Sequence, residues 1–393
     1  MGVSFHAALR AAPRRMKGVN MDQVSIQQLA DQAILHFDLP GIAMDRMIYG
    51  SGHINDTYLL LMEQPDGHVV KYILQRMNQN IFKNPEQLME NILGVTSHLR
   101  RKIIENGGDP ERETLNVVPT KDGAAFYKDE AGLYWRVYKF IDGATSYDKV
   151  QKPDDFYQTA VTFGNFQRLL ADYPAHTLHE TIQGFHDTAA RFEVFLQAVK
   201  EDVCGRAASV QKEIDFVLSH EPTAHVLGDM LKEGKLPLRV THNDTKLNNI
   251  MIDNKTGRGI CVIDLDTVMP GLSINDYGDS IRFGASTGDE DEPDLSKVSC
   301  DMNLFEYYTR GFIEGCHGSL TETELEMLPM GAKVMTFECG MRFLTDHLQG
   351  DTYFKIHREN HNLDRCRTQF KLVADMEIKW SQMAEIVKKC CKR

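Results

Sequence analysis

The chain has 393 residues, of which 42% are hydrophobic and 25% are charged, as in an ordinary globular protein. This composition excludes a disordered chain, a collagen-like chain and a disulfide-rich miniprotein, and the length favours two lobes. The formal net charge of −12 argues against a nucleic-acid partner, because phosphate backbones require clustered Lys and Arg. No run of 18 or more apolar residues occurs, so we expect no membrane span and no membrane partner.

The cysteines and the chain start indicate the compartment. Eight cysteines occur without a CxxC pair or a zinc-ligand spacing, so we expect inert thiols and a cytoplasmic location. Residues 1–20 contain four basic residues and no acidic one. We interpret them as a disordered extension rather than a targeting leader, because no apolar segment follows.

Residues 21–143 are predicted to form a small lobe. Apolar residues recur with helical spacing over 25–36, and Asn84 followed by Pro85 is typical of a helix start. Runs rich in Val, Ile and Tyr indicate strands. The predicted strands span 57–62, 68–76, 115–119, 124–127 and 133–140. Together these elements predict a mostly antiparallel sheet with a helix.

Residues 144–393 are predicted to form a larger helical lobe. Helical periodicity covers 154–171, 188–203, 207–219, 302–314, 322–347 and 362–389. Short strand signals lie at 249–253 and 260–264. The fold class expected from both parts is α+β with two lobes, as in protein kinases.

The densest polar cluster is THNDTKLNNIMI at residues 241–252, followed by the apolar strand that ends in VIDLD at 262–266. A kinase catalytic loop has an Asp, a Lys two residues later and an Asn five residues later. Asp244, Lys246 and Asn249 have that spacing, and Asp264 ends the next strand. A hairpin would bring Asp264 beside Asn249, so that both could hold Mg²⁺ against ATP. Asn and Asp are also common in plain turns, but a turn has no reason to repeat this spacing.

These residues resemble the aminoglycoside phosphotransferase and choline kinase superfamily of small-molecule kinases. SGHINDTY at 51–58, YILQRMN at 72–78, DLDTVMPGLS at 264–273 and DYGDSIR at 276–282 are similar to the N-acetylhexosamine 1-kinases within it. The resemblance runs from about residue 25 to about residue 385. It implies a protein-kinase-like fold, ATP and Mg²⁺ as cofactors, and a sugar phosphorylated on its anomeric hydroxyl.

The resemblance also implies roles for single residues in catalysis and metal binding. Asp244 would be the catalytic base that contacts the sugar hydroxyl, and Lys246 would contact the γ-phosphate. Asn249 and Asp264 would bind Mg²⁺, whereas Asp266 and Asp279 would support the metal or the fold.

Nucleotide binding is assigned to the amino-terminal lobe by the same resemblance. The turn from Gly50 to Gly52 would cover the phosphates with backbone N–H groups, and the stretch from Tyr138 through Phe140 to Ile141 would offer backbone bonds to adenine. Gln75 stands where protein kinases have a lysine, with Arg76 beside it on the opposite face. Glu86 or Glu90 would be the ion-pair partner on the following helix.

The sugar-binding residues are predicted in the helical lobe, with one exception. Arg342 and Tyr353 would contact the hexosamine if the Gly-Asp turn at 350–351 folds the chain back. The alternative is that Arg342 pairs with a surface acid. His53 in the first hairpin is a further candidate, although a lone histidine is usually structural.

Two other functions stay open at this point. One is a kinase of another small alcohol, such as an amino alcohol, homoserine or an aminoglycoside-like acceptor, for which the acidic run 289–292 would supply carboxylates. The other is a non-catalytic nucleotide-binding module, favoured by Gln75 but not by the intact Asp244, Asn249 and Asp264. The sequence does not indicate an oligomeric partner.

Overall fold

The structure is a computed structural model that describes residues 26–50 and 54–392. The chain divides after Asp142 into two compact units. The extension predicted for residues 1–20 lies outside the described residues. No helix in the described ranges is long and apolar enough to cross a membrane.

In its described residues, the amino-terminal unit combines one antiparallel sheet with three helices. Its helices are α1 (Ile26–Ile34), α2 (Pro85–Glu105) and the single turn α3 (Pro110–Glu113). Its strands are β1 (Ile42–Ile48), β2 (Asp56–Glu63), β3 (Val69–Arg76), β4 (Val117–Val118), β5 (Tyr127–Lys128) and β6 (Tyr134–Lys139). The strand order is β1-β2-β3-β6-β4, and β5 also pairs with β6.

Local sequence explains how the sheet and α2 form. The Asn84 side chain accepts the N–H of Gln87 at 3.2 Å, and Pro85 fills the first helical position, so the predicted cap is confirmed. One face of the sheet packs with α1 around Leu60, Leu74 and Trp135, which are fully buried. Apolar burial of this kind is the main stabilising contribution to such a unit.

Strand β1 was not predicted, because its sequence does not alternate. It is an edge strand in which Ile42 is 64% and Ile48 is 77% exposed. Its register with β2 shifts between Ala43 and Asp45. A bulge breaks the period of two on which strand prediction depends.

The carboxy-terminal unit is mainly helical. Its helices are α4 (Pro153–Leu169), α5 (Thr188–Glu201), α6 (Gln211–Ser219), α7 (Glu221–Lys232), α8 (Ser273–Gly284), α9 (Met302–Cys316), α10 (Glu322–Glu326), α11 (Leu328–Leu348), α12 (His361–Ile378) and α13 (Trp380–Cys391). The expected fold class, an antiparallel β unit and a larger helical unit, is therefore confirmed. The predictions of single helices over 322–347 and 362–389 are wrong, because each region contains two helices.

Short strands frame the loops of this unit. They are β7 (Ala144–Thr145), β8 (Arg239–Thr241), β9 (Ile250–Asp253), β10 (Gly259–Val262) and β11 (Met269–Gly271). β9 pairs with β10 on one side and with β7 on the other, and β8 pairs with β11. The two strands predicted at 249–253 and 260–264 correspond to β9 and β10.

Two glycines let α8 approach α11 closely. A Cβ atom on Gly278 would lie 2.2 Å from the carbonyl oxygen of Gly331, and one on Gly331 would lie 2.3 Å from that of Ile274. No side chain fits at such distances, so both positions require glycine. The contact fixes α8, whose polar residues hold the loop described next.

Candidate active site

The polar loop between β8 and β9 brings the predicted kinase residues together. The Lys246 ammonium lies 2.7 Å from one carboxylate oxygen of Asp244. The amide nitrogen of Asn249 donates to the Asp244 carbonyl at 2.8 Å and faces the other carboxylate oxygen at 3.3 Å. A single turn therefore presents a carboxylate, an ammonium and an amide to one point.

The hairpin of β9 and β10 returns the chain to this loop. Val262 pairs with Ile250, and the N–H of Ile263 donates to the carbonyl of Asn249 at 2.9 Å. Asp264 follows at once, exposed and with a left-handed φ of +58°. Asn249 and Asp264 are thus neighbours, as the hairpin argument predicted. Non-glycine residues seldom adopt this φ, and Asp and Asn tolerate it best.

The electrostatics of the loop keep Asp244 ionised. Burial acts to raise the pKa of this carboxyl, but the adjacent Lys246 ammonium outweighs it and holds the pKa below its usual range. The pKa of Lys246 is raised in turn, because Asp244 and Asp279 overcome the effect of burial. At neutral pH the pair is a carboxylate and an ammonium, and the carboxylate is able to accept a proton.

Asp276 of α8 fixes the start of the loop. Its carboxylate accepts the backbone N–H groups of His242 at 2.9 Å and Asn243 at 2.8 Å, and the Gln167 amide at 2.6 Å. Asn243 has a left-handed φ of +64°, so the bonds hold a conformation that the chain would not prefer. Only 1% of Asp276 is exposed, which strengthens these charge-assisted bonds.

The next turn of α8 fixes the middle of the loop. Asp279 accepts the N–H of Thr245 at 3.1 Å and pairs with Arg282 at 3.0 Å. Ser280 donates to the Thr245 carbonyl at 2.6 Å. Asp279 therefore supports the loop backbone, and with Asp276 it makes α8 the scaffold on which Asp244 is presented.

We expect Asp276→Asn to destabilise the fold by about 2–4 kcal/mol, since a charge-assisted bond contributes about 1.5–3 kcal/mol and the amide would face an N–H donor. Urea unfolding of the purified variant measures this loss. The control is Asp301→Asn, because Asp301 caps α9 and Asn caps equally well. Equal midpoints for the two variants would contradict the role given to Asp276.

His242 is a structural residue of the site. It is fully buried, and its Nε2 lies 2.9 Å from the carbonyl oxygen of Ile263, while its Nδ1 faces the N–H of Asp244 at 3.3 Å. A proton on Nε2 and a lone pair on Nδ1 satisfy both contacts. The ring thereby ties the loop to the hairpin that carries Asp264.

Arg342 and Tyr353 lie together, as predicted. The Arg342 guanidinium lies 5.9 Å from the Tyr353 ring, 5.7 Å from Phe185 and 5.5 Å from Phe354. Among the described residues it forms no hydrogen bond or ion pair with a carboxylate, so the alternative of a surface ion pair is wrong. Tyr353 is 67% exposed, so the cluster is open to a ligand.

This cluster connects to the catalytic loop through two ring contacts. Phe185 packs against His186 with ring centroids 4.6 Å apart. His186 in turn lies 3.1 Å from the carbonyl oxygen of Asn243, directly before Asp244. Neither Phe185 nor His186 was singled out from the sequence, because nothing in their spacing links them to a loop 57 residues away.

The acidic run 289–292 is neutralised by basic side chains. Asp289 pairs with Lys149 at 2.6 Å, and Glu290 pairs with Arg282 at 2.8 Å. Asp291 pairs with Arg358 at 3.4 Å, and Glu292 pairs with Lys297 at 3.5 Å. The run is therefore a set of internal ion pairs rather than a free carboxylate surface.

The amino-terminal unit contains Gly50, Tyr138 and Phe140, which are predicted to bind the nucleotide through their backbone. Gly50 has a left-handed φ of +80°, and the Tyr49 ring before it packs edge-on against Phe140 at 5.8 Å. The backbone N–H of Phe140 donates to the carbonyl of Lys71 at 3.3 Å. Tyr138 is buried in β6.

Two further predicted binding residues, Gly52 and His53, lie outside the described residues. Gly50 and Phe140, by contrast, belong to one local cluster through Tyr49. Their assignment to the nucleotide therefore stays a prediction.

The two residues predicted near the phosphates have partners in the sheet. The side-chain oxygen of Gln75 accepts hydrogen bonds from Nε and Nη2 of Arg136, at 3.0 and 2.9 Å. Its amide nitrogen donates to the hydroxyl of Thr57 at 3.0 Å. Arg76 forms an ion pair with Asp56 on the opposite face. The buried guanidinium of Arg136 thus lies beside Gln75, the residue that stands where protein kinases have a lysine.

The ion-pair partner expected on α2 differs from the observed contact. Glu86 accepts the hydroxyl of Tyr134 at 3.0 Å. Glu90 makes contacts of its own. Gln75 needs no acidic partner, since a neutral amide leaves no charge to balance.

A divalent cation fits the donor set at Asn249 and Asp264. Since the Asn249 nitrogen donates to the Asp244 carbonyl, its amide oxygen is the atom left for a cation. Amide and carboxylate oxygens are the ligands that Mg²⁺ and Ca²⁺ prefer. Within the described ranges no three His, Cys, Asp or Glu side chains converge on one point, so the remaining ligands would be phosphate oxygens and water.

Comparison with known families gives one match. Residues 47–306 match the model of the phosphotransferase enzyme family. The matched region contains the catalytic loop, the hairpin, α8 and the Gly50 turn. Arg342 and Tyr353 lie beyond it.

Solved structures share the fold at low sequence identity. An aminoglycoside phosphotransferase from Alicyclobacillus acidocaldarius has a TM-score of 0.58 at 12% identity, over 96% of this chain and 100% of that chain. A microcompartment-associated aminopropanol kinase has a TM-score of 0.56 at 16% identity, over 91% and 98%. An amicoumacin kinase in complex with AMP-PNP and Ca²⁺ has a TM-score of 0.56 at 13% identity, over 91% and 95%. At such identities the likeness concerns the fold.

Proposed function

The chain belongs to the phosphotransferase enzyme family, and we propose that it transfers the γ-phosphoryl group of ATP to the anomeric hydroxyl of an N-acetylhexosamine. The observation that carries the kinase chemistry is the convergence of Asp244, Lys246 and Asn249 on one turn. The sugar specificity rests on the motif resemblance and on the Arg342 cluster.

In the proposed reaction the anomeric oxygen attacks the γ-phosphorus in line with the bond between that phosphorus and the bridging oxygen of ADP. A new O–P bond forms, the bond to the bridging oxygen breaks, and ADP departs. The Asp244 carboxylate orients the hydroxyl and takes its proton, while Lys246 lies beside the charge that develops. The C1–O1 bond stays intact, so the product keeps the configuration of the bound anomer.

Magnesium would be held by Asn249 and Asp264 and would neutralise phosphate charge. This proposal is supported by the Asn249 amide, because its nitrogen donates to the Asp244 carbonyl and its oxygen is left for the cation. In the amino-terminal unit, the Gly50 turn and the segment at Phe140 are proposed to bind the nucleotide through backbone groups.

The charges near the loop favour a neutral acceptor over an amino alcohol. Arg342 lies close to Arg191. Burial lowers the pKa of the Arg191 guanidinium most, and the positive charge of Arg342 lowers it further. A cationic substrate would be repelled there. The carboxylates at 289–292 that would have attracted it are already paired. Hydroxyl and acetamido oxygens, in contrast, are good acceptors for a guanidinium.

An acceptor panel tests the proposal. ADP release is followed in parallel with N-acetylglucosamine, N-acetylgalactosamine, glucose, choline, 1-amino-2-propanol and homoserine at equal concentration. We expect turnover with an N-acetylhexosamine only. Turnover with an amino alcohol alone would replace the substrate class, and ATP binding without ADP release for any acceptor would indicate a binding module.

We expect Arg342→Ala to raise the KM for the sugar about 10- to 100-fold and to leave the KM for ATP unchanged, because a hydrogen bond from a charged group contributes about 1.5–3 kcal/mol. Steady-state kinetics with each substrate varied measures the change.

The matched control is Arg310→Ala. Arg310 also lies over two aromatic rings, Tyr157 at 4.5 Å and Tyr307 at 4.9 Å, but on α9, away from the loop. We expect wild-type kinetics from it. A similar KM for the sugar in both variants would reject Arg342 as a sugar contact.

A further inference from the structure

His186 joins the catalytic loop to α11. Its Nδ1 lies 2.8 Å from a carboxylate oxygen of Glu338, and its Nε2 lies 3.1 Å from the carbonyl oxygen of Asn243. The side chain is 10% exposed and that of Glu338 1%. Both nitrogens of one buried ring therefore face oxygen atoms.

The two partners determine the protonation of the ring. A carbonyl oxygen and an ionised carboxylate accept hydrogen bonds and donate none. A neutral imidazole has only one N–H, so it satisfies one of these contacts and leaves two lone pairs opposed in the other. A doubly protonated ring satisfies both, and burial makes the opposed pair costly.

The partner Glu338 is well placed to stay ionised. It accepts the hydroxyl of Thr188 at 2.6 Å and lies 3.7 Å from Nε of Arg191. Burial acts to raise its pKa, but His186 and Arg191 lower it to about 2. A carboxylate at neutral pH is therefore opposite the ring.

The other charged groups around His186 act on the ring as follows. Burial acts to lower its pKa, whereas Glu338 on α11 and, more weakly, Asp279 on α8 raise it, and the balance lies above the ordinary value. The cations nearby, Arg191 on α5 and Arg342 on α11, act mainly on Glu338.

We propose that His186 is a positioning residue: its doubly protonated ring ties Glu338 to the Asn243 carbonyl and thereby holds Asp244 in place for phosphoryl transfer. The proposal rests on phosphoryl transfer at Asp244, as given above, but on no particular acceptor. His186 thus holds the loop from the side of α11, whereas α8 holds other backbone groups of the loop through Asp276 and Asp279.

The position of the bond explains why the ring matters to catalysis. Asn243 has a left-handed φ, and its N–H is held by Asp276, so His186 fixes the other end of the same residue. With both ends fixed, the peptide that leads into Asp244 has one orientation. A displacement of about 1 Å at such a point can lower turnover about 100-fold.

The chain contains a matched control in His220. Its Nδ1 lies 2.7 Å from the carbonyl oxygen of Phe216, and its Nε2 lies 3.2 Å from the carboxylate of Glu377. The ring thus bridges a carbonyl and a carboxylate in the same way, but at the junction of α6 and α7 rather than at the loop. His220→Gln removes an equivalent bridge outside the active site.

The protonation state is tested without reference to activity. The full chain is labelled with ¹⁵N-histidine, and ring nitrogens are observed by long-range ¹H–¹⁵N correlation at pH 8, with His186→Gln to assign the signal. We expect His186 as an imidazolium at a pH where a free histidine, with a pKa of about 6.5, is neutral. A neutral ring at pH 8 would overturn the proposal.

The positioning role is tested by pH profiles of kcat from pH 6 to 10. Activity that depends on the charged ring is present below its pKa in the folded protein and is lost as the pH rises through that value. We expect His186→Gln to lower kcat about 10- to 100-fold. Glu338→Gln should move the alkaline limb down by about 1–3 pH units, since an opposite charge is removed.

The result that overturns the positioning role is an alkaline limb and a kcat that are the same in the wild type, His186→Gln and Glu338→Gln. His220→Gln should keep the wild-type profile. If His220→Gln and His186→Gln lowered kcat equally, the effect of His186→Gln would be one of general stability. If no alcohol is accepted, the proposed substrate fails separately. The same profiles are then recorded on the slow hydrolysis of ATP by water.

Discussion

Asp244→Asn lowers kcat about 100- to 10,000-fold and leaves ATP affinity unchanged, if Asp244 is the base that takes the acceptor proton. General base catalysis accounts for a factor of this size. The amide keeps the shape of the side chain and loses its capacity to accept the proton. Single-turnover ADP release measures the rate, and equilibrium titration with a non-hydrolysable ATP analogue measures binding.

The control for this substitution is Asp229→Asn, which neutralises an exposed acid on α7 whose ion-pair partner in the described part of the chain is Lys232. Its kinetics should be those of the wild type. The wild-type pH profile gives an independent check: because Lys246 holds the pKa of Asp244 below its usual range, the acid limb due to this group lies at lower pH than the titration of a free aspartate. Full turnover by Asp244→Asn would refute the assignment.

Asp264→Asn is expected to lower kcat about 1,000-fold at 1 equivalent of Mg²⁺ per ATP, since a metal ion contributes several kcal/mol of charge stabilisation. Asn tolerates the left-handed φ of +58° at this position, so the backbone is preserved while one negative charge is removed. Titration of ADP release with Mg²⁺ should show a higher concentration for half-maximal rate and partial recovery at excess metal.

A second variant separates metal binding from hairpin geometry. Asp253 ends β9 and caps the following turn through bonds to the N–H groups of Lys255 and Thr256. Asp253→Asn perturbs the same hairpin without changing the proposed ligands, so its Mg²⁺ dependence should remain that of the wild type. An unchanged Mg²⁺ dependence in Asp264→Asn would contradict the metal site.

The catalytic loop and the hairpin could be predicted because their signals are local. Asp244, Lys246 and Asn249 lie on one turn, and Asp264 follows one tight connection, so residue spacing determines proximity. The start of α2 was predictable for the same reason, because Asn84 caps the helix within its own first turn.

The scaffold of the loop could be predicted only in part, because it is formed by residues distant in sequence: a supporting role of Asp279 was implied by the resemblance, whereas no role of Asp276 was predicted. Helix α8 is buried on every side from Ser273 to Arg282, so its polar residues do not mark a solvent-exposed face from which helical periodicity could be read. Its acids, Asp276 and Asp279, contact backbone groups more than 30 residues away. Only the tertiary structure brings them to the loop.

The same limit applies to the α11 side of the site. His186 and Glu338 are 152 residues apart, and each alone is an unremarkable polar residue in sequence. Arg342 was reached only through a resemblance, and its three aromatic neighbours come from two separate segments. The residues proposed to face the substrate are therefore less predictable from the sequence than the loop proposed to perform the chemistry.

Identification of the phosphorylated atom tests the proposed function most directly. N-acetylglucosamine or N-acetylgalactosamine is incubated with ATP, Mg²⁺ and the full chain, and the product is analysed by ¹H–³¹P correlation NMR. We predict coupling of the phosphorus to the anomeric proton, in the configuration of the anomer supplied. Coupling to the protons on C6, or no phosphorylated sugar while another alcohol is consumed, would contradict it.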